Sequence, residues 1–531
     1  MVGAYVRKYR FLLLAISGAL TGLTLVFPSV GILEWIILSP AIAVLLDLCS
    51  DTEVSYKKAY LYGFVMLSAY YVVTFHWFCY MYPLEFTGMA KPAALFVVLF
   101  AWLGLAAFQA ATMAFLVPLA AFVIRRRAVL SAPLLHPFVI AAVWTVFEWL
   151  QAHTGFIGVP WARLCLGQAD MSVMIQSASL LGSYFISLAL LLVNGLVAYI
   201  FLYASRKTVA WAVAVSIFAV NVGIGIICLC IPQSSGRTVR AAAIQGNIST
   251  SEKWSGDSLE RTKSIYRELS LRAAADGAEL IVWPETAFPY NIDANLEVRD
   301  FICEVARDCN ATLVVSTFTD VEGSNKLYNS VWSVDKNGNM GETRYHKINL
   351  VPFGEFIPFG DLVTTLIPPL AELGLMNTDL EFGKGAEVML TDSGKISPLI
   401  CFDSIYEDNA LDSVRAGAEL LTVSTNDSWF GNSAAVYMHN AQSKLRAVET
   451  GRYVVRAANT GVSSIISQKG EALELLSPLV DGYVISDVNL SSGRTLYSHI
   501  GNVLVYICMG FVIATAVCGV GIKTKNETDE G

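Results

Sequence analysis

Six stretches of this chain contain no Asp, Glu, Lys or Arg: residues 11–33, 59–84, 92–124, 171–205, 208–236 and 495–522. A helix crosses the ~30 Å hydrocarbon layer of a bilayer with about 20 apolar residues, so each stretch is long enough to span. Two weaker spans, 30–48 containing Glu34 and 136–153 containing Glu148, bring the expected number to eight. Composition agrees, since only 15% of the 531 residues are charged, against roughly 25% in soluble domains. A formal charge of −8, without a basic stripe, excludes nucleic acid as a partner, because phosphate backbones require clustered Lys and Arg.

Short cytoplasmic loops collect Lys and Arg, and eight spans starting inside reproduce that asymmetry. Arg7, Lys8, Arg10, Lys57, Lys58, Arg125, Arg126, Arg127, Arg206, Lys207, Lys523 and Lys525 all fall inside, against Lys91 and Arg163 in the short outer loops. A cleaved signal peptide shares the basic start and apolar stretch of the first span, but no small-residue cleavage site precedes the next one. The expected organisation is a seven-helix transmembrane domain (1–231), an outer domain (232–498), and a last transmembrane helix with a short cytoplasmic tail (499–531). Of ten cysteines only Cys303, Cys309 and Cys401 belong to the outer domain. An odd number cannot all pair, and Cys303 and Cys309 lie six apart on an expected helix, which favours free thiols.

In the outer domain short β-rich runs alternate with helical ones, the pattern of an α/β layered fold. "VRAAAIQGN", "AELIVWPE", "ATLVVSTF", "YNSVWSVD", "ISPLICFD" and "AELLTVSTN" read as strands, and residues 256–275, 293–308 and 434–450 as helices. Reactive side chains in such folds sit at strand ends, where Glu285 and Cys401 fall. The Pro- and Gly-rich stretch from Glu355 to Asn377 reads either as a mobile arm at the membrane surface or as a long packed loop.

A cysteine attacks as thiolate, so it needs a proton acceptor and donors for the oxyanion. Glu285 in "VWPETAFP", Lys347 in "YHKINLVPFGEF" and Cys401 in "LICFDS" are the candidates, though each alone is more ordinarily a solvated carboxylate, a surface lysine and a core thiol. GxSxG, CxxC, HExxH, Walker and GxGxxG sequences are all missing. No metal and no cofactor is therefore expected.

Together the three motifs, in that order, resemble the Glu, Lys and Cys motifs of the nitrilase superfamily. "VRAAAIQGNISTSEKW", "LVPFGEFIP", "STNDSWFGNS" and "HNAQSKLRAVETGRYVVRAANTGVSS" are similar to the apolipoprotein N-acyltransferase family within it, as is the eight-span layout. The resemblance implies an αββα sandwich for the outer domain. It implies Glu285 as general base and acid, Lys347 as oxyanion donor and Cys401 as nucleophile, with the backbone N–H of Phe402 as a second donor and Glu355 in support. The family's aromatic hydroxyl and glutamate after the nucleophile are here Phe402 and Asp403. Trp254 and Trp429 match family aromatics and pack either on an acyl chain or in the domain core. Arg446, Glu449, Arg452 and Arg456 are expected as a structural ion-pair network. Intramembrane Glu148 marks either a lipid path or a side chain reaching the interface.

The implied activity moves an acyl chain from a membrane phospholipid, through a Cys401 thioester, to the α-amine of diacylglyceryl-modified apolipoproteins. The implied location is the bacterial inner membrane, with the catalytic domain periplasmic and both termini cytoplasmic. The rivals are a membrane-tethered amidase acting on a soluble C–N bond and an inactive lipoprotein-binding scaffold.

Overall fold

The computed structural model describes residues 2–84, 89–155, 158–232, 236–253, 258–358 and 380–518. Most of the stretch from Glu355 to Asn377, read as an arm or loop, lies outside the described residues.

Six helices are long and apolar enough to cross a membrane: Pro28–Ser50, Tyr56–Met81, Lys91–Ile124, Pro133–His153, Ser183–Leu202 and Lys207–Cys230. The first and last expected spans coincide with the shorter apolar helices Arg10–Val26 and Val503–Val517. At 1.5 Å per residue, 17 residues reach only about 25 Å, so length supports six of the eight expected spans. Helix Arg10–Val26 lies close against Tyr56–Thr74 because Gly18 and Gly22 carry no side chain. A Cβ at Gly18 would stand 2.2 Å from the Met66 carbonyl oxygen, and one at Gly22 2.7 Å from that of Tyr70.

The run 171–205, expected as one span, is broken. Short helices Ser172–Ile175 and Ala178–Leu181 precede Gly182, whose φ of +78° starts helix Ser183–Leu202 in a new direction. A Cβ at Gly182 would come within 2.5 Å of the Tyr497 ring, so both the left-handed backbone and the close contact require glycine. Glu148 is buried in the bundle, where Oε1 accepts the Leu164 N–H at 3.2 Å. Glu34 is likewise buried and accepts from Gln168 at 2.8 Å.

All twelve strands among the described residues lie between Thr238 and Asn489. They are β1 (Thr238–Gln245), β2 (Leu280–Val282), β3 (Thr312–Asp320), β4 (Leu327–Val334), β5 (Tyr345–His346), β6 (Met389–Thr391), β7 (Gly394–Ile400), β8 (Leu420–Thr425), β9 (Val454–Ala458), β10 (Ser463–Ile466), β11 (Ala472–Leu476) and β12 (Gly482–Asn489). One sheet runs β12-β1-β2-β3-β4-β5 and the other β11-β10-β9-β8-β7-β6.

Side chains alternate across a strand, and β1 uses both faces. Ala241 and Ala243 meet Ile396, Ile400 and Val455 of the other sheet, whereas Ala242 and Ile244 lie under helices Leu259–Ala275 and Leu296–Cys309. Leu399, Val423 and Val454 likewise turn away from the first sheet, toward Ala410 and Ala447 on helices Glu407–Arg415 and Ala434–Thr450. The layers are helix, sheet, sheet, helix, as the nitrilase resemblance implies. Cys303 and Cys309 share helix Leu296–Cys309, and both are free.

Helix Ala434–Thr450 also joins the two halves of the protein. Ala435, Met438, Ala441, Leu445 and Val448, spaced three or four apart, form one helical stripe packed into the membrane-helix core. Polar ties add direction to this contact. Arg163 pairs with Glu407 at 3.2 Å with both side chains buried, Tyr184 donates to Glu407 at 2.6 Å, and Tyr406 donates to the Gly158 carbonyl at 2.7 Å.

Candidate active site

Strand β7 ends at Ile400, and the chain turns into the 3-10 segment Cys401–Ile405. The turn is sharp enough to put Cys401 at φ +48°, in the left-handed region that non-glycine residues rarely occupy. Such strain persists only where surrounding contacts hold it. Here the Cys401 carbonyl accepts from the Ser404 hydroxyl at 2.7 Å and lies 3.1 Å from His439 Nε2. Burial and then the Glu285 charge push the half-buried thiol well above its usual range, while Lys347 pulls it down. At rest the sulfur is therefore a thiol.

Glu285 and Lys347, 62 residues apart, are brought together by the loop after β2 and the chain after β5. Lys347 Nζ bridges Glu285 Oε1 at 2.9 Å and Glu355 Oε1 at 2.8 Å. Burial would lower the Lys347 pKa, but Glu285 and Glu355 outweigh it and raise it well above its usual value. The ammonium is permanently charged and only 1% exposed. Glu285 also accepts from Asn329 Nδ2 at 2.8 Å and, through Oε2, from the Asn426 N–H at 3.0 Å. Glu355 Oε2 accepts the Val351 N–H at 2.8 Å, which ties its own turn shut. Beside a thiol, a carboxylate can take the proton from sulfur while the fixed cation against it holds negative charge on a carbonyl oxygen.

Phe402 and Asp403 turn away from one another. Phe402 is 7% exposed and packs toward the membrane helices, its ring 6.3 Å from Trp161 and 5.5 Å from Tyr406. Asp403 is fully buried. It accepts from Tyr345 Oη at 2.7 Å and from the N–H groups of Asn349 at 2.7 Å and Ile400 at 3.3 Å. Burial pushes its carboxyl up to about 7 against those donors. Asp403 therefore locks the Lys347 segment to the turn that carries Cys401. Trp429 is half-buried in the loop after β8, and Trp254 lies outside the described residues.

The expected ion-pair network divides into three. Arg446 pairs with Glu449, Arg452 donates to the Ala418 carbonyl at 2.7 Å, and Arg456 pairs with Asp427 at 2.9 Å. This last pair leads back to the site, since Asp427 Oδ1 is 2.9 Å from His439 Nδ1.

Sequence reasoning missed Asn329, Asn426, Lys253, Asp427 and His439. Lys253, buried next to Trp254 in sequence, donates to the Glu285 carbonyl at 2.9 Å and to Thr286 Oγ1 at 2.8 Å. It thereby holds the turn at Thr286, where φ is +44°, and burial lowers its pKa to about 7. Its place in "SEKW" was the available signal.

A carbon-nitrogen hydrolase family model matches residues 240–497, and one for the apolipoprotein N-acyltransferase N-terminal domain matches residues 17–196. Among curated proteins, the apolipoprotein N-acyltransferase of Geobacter metallireducens is 31% identical over 97% of this chain and 96% of its own. That of Gloeobacter violaceus is 30% identical over 95% and 94%. An amidase from Nesterenkonia sp. of known structure aligns with 52% of this chain and 98% of its own at 19% identity and a TM-score of 0.39. The relatives extend through the membrane helices as well as the Glu–Lys–Cys site, and on that likeness the chain belongs to the apolipoprotein N-acyltransferase family.

Proposed function

We propose that this membrane protein N-acylates apolipoproteins by a two-step transfer through Cys401. In the first step Glu285 takes the thiol proton as sulfur attacks an ester carbonyl of a phospholipid. The Lys347 ammonium and the Phe402 N–H receive the oxyanion. The intermediate collapses with the Glu285 proton passing to the departing alkoxide, so lysophospholipid leaves and a Cys401 thioester remains. In the second step the α-amine of a diacylglyceryl-cysteine attacks the thioester and loses its proton to Glu285. Expulsion of sulfur, reprotonated by Glu285, gives the amide.

The observation that carries this reading is the Glu285–Lys347–Glu355 chain of contacts beside Cys401. A protonated resting thiol needs a base at the moment of attack, and this reading gives that role to Glu285, whose charge acts on the thiol, because Asp427, also near the sulfur, is held at about 2 by His439 and Arg456. Membrane helices fit two lipid substrates, because drawing acyl chains into water costs about 0.8 kcal/mol per CH₂. A soluble amide substrate would need none of them, which disfavours the amidase reading. The charge asymmetry of the loops supports a bacterial inner-membrane location with the α/β domain on the periplasmic side and both termini inside. It also supports the full set of eight spans and the division at about residues 231 and 498.

The test is incubation of purified protein with phospholipid alone, followed by mass analysis of the Cys401 peptide. A fatty-acyl mass released by neutral hydroxylamine is expected. Its absence, with acyl transfer to a lipopeptide nonetheless intact, would overturn the thioester route.

A further inference from the structure

The peptide unit joining Cys401 to Phe402 is held at its oxygen. Ser404 Oγ donates to that oxygen at 2.7 Å, and His439 Nε2 stands 3.1 Å from it. A trans peptide is planar, with its C=O and N–H pointing in opposite directions. Whatever fixes the Cys401 carbonyl therefore also aims the Phe402 N–H. Hydrogen bonds to the oxygen further polarise the unit and strengthen that donor.

Behind His439 stands a buried chain. His439 Nδ1 lies 2.9 Å from Asp427 Oδ1, and Asp427 Oδ2 accepts from Arg456 at 2.9 Å, all three side chains being 0% exposed. His439 is on helix Ala434–Thr450, Asp427 follows β8, and Arg456 is on β9, so three elements converge on one carbonyl. Against the burial that would raise it, His439 and Arg456 hold the Asp427 carboxyl at about 2. Asp427 is thus ionised and accepts only, which puts a proton on Nδ1. A bare Nε2 lone pair 3.1 Å from a carbonyl oxygen would be repelled, so that distance calls for a proton on Nε2 as well. Burial and then Arg456 outweigh Asp427 and the Cys401 carbonyl and hold His439 below its usual pKa, so it is the contact geometry that calls for this second proton, with Ser404 Oγ, 3.1 Å from Nε2, sharing the carbonyl with the ring.

We propose that His439, backed by Asp427 and Arg456, is a positioning residue that grips the Cys401 carbonyl and thereby aims the Phe402 N–H at the oxyanion. The proposal rests on the acyl-transfer reading above. A competing role is charge: the Cys401 sulfur and the ligand atoms of His439 and Asp427 all lie within 4.8 Å of one another, close enough for a charged imidazole to act on the thiolate directly.

Two reactions of Cys401 separate these roles, because alkylation by iodoacetamide forms no oxyanion whereas acylation does. The full chain would be given vesicles of phosphatidylethanolamine and phosphatidylglycerol, and both rates followed on the Cys401 peptide. For His439→Leu, acylation is expected to fall about 100-fold, the effect of losing an oxyanion donor, with alkylation held within about threefold. His439→Gln, whose amide N–H can reach the same carbonyl, should recover about tenfold of that loss. Ser404→Ala should lose about tenfold in acylation with the same selectivity. Equal falls in both reactions for His439→Leu, or a glutamine variant no better than leucine, would overturn the grip. Should His439→Leu not fold, Ser404→Ala decides, and unimpaired acylation there overturns it. A wild-type protein that alkylates but never acquires an acyl mass would fail the acyl-transfer reading itself, and the grip with it.

Discussion

Two polar clusters flank Cys401, and they differ in what they hold. On one side Glu285, Lys347 and Glu355 set two carboxylates against one ammonium. On the other, Asp427, His439 and Arg456 are sealed at 0% exposure and meet Cys401 at its backbone carbonyl, which lies 3.1 Å from His439 Nε2. The first cluster can act on protons and charge; the second can act on geometry. Nucleophile strain needs both, since a residue at φ +48° relaxes unless its peptide planes are tied down.

Substitutions can break this contrast. Cys401→Ala, which removes the group both clusters serve, should abolish acyl-enzyme formation, a loss on the order of 10⁴-fold or more seen by mass analysis. Replacing Glu285 by Gln keeps the shape but removes the base, and single-turnover acylation should drop about 10²–10⁴-fold. Lys347→Met should cost about 10²–10³-fold in the same assay. It also leaves Glu285 and Glu355 facing each other without a cation, so thermal unfolding should report about 3–5 kcal/mol of lost stability. Comparable activity in wild type and Lys347→Met would remove the distinction between the clusters.

pH sharpens the contrast further. Asp427 titrates at about 2 in the fold, below the usual 3.8, so it stabilises above about pH 4 and that contribution is lost as pH falls toward 2. Asp403 has the opposite sign. Its folded value of about 7 lies above 3.8, so the folded state holds the extra proton and stability declines as pH rises from about 4 to 7. Melting temperatures of Asp403→Asn should lose that decline, and those of Asp427→Asn the acid-side loss. The smallest effect is expected at Trp161, whose ring lies 5.1 Å from His439 and 6.3 Å from Phe402. Trp161→Leu should cost about 1–2 kcal/mol of stability through lost ring contacts, with acylation changed only a few-fold.

How much of this was legible varies by residue. Glu285, Lys347 and Cys401 were legible as a set, because their three motifs stand in the order of the nitrilase Glu, Lys and Cys motifs, whereas each alone reads as an ordinary carboxylate, lysine and thiol. Asn329 was hidden because a strand reading of "YNSVWSVD" says which residues alternate, and nothing about what one face meets. His439 was hidden in an amphipathic helix whose burial on both sides depends on the membrane helices. Strands β9 to β12 escaped as well. "VVRAA" places Arg456 at a central position, where only its buried partner Asp427 makes the charge tolerable, and "ALELL" suits a helix equally. The break at Gly182 was missed because a charge-free run carries no mark of direction.

The sequence by itself determined that the chain enters a membrane and that an α/β domain follows its first helices, and it nominated Glu285, Lys347 and Cys401 for the proposed chemistry. Those properties depend on local content: runs without charge, alternation along a strand, reactive side chains at strand ends. Only the tertiary structure decided what surrounds Cys401. Glu285, Asn329, Lys347, Asn426 and His439 come from five separate segments, and their partners are fixed by how two sheets and a membrane-packed helix meet. Phe402 faces Trp161 across that meeting. Burial and hydrogen-bond partnership are properties of elements brought together in space, and no stretch of sequence carries them alone.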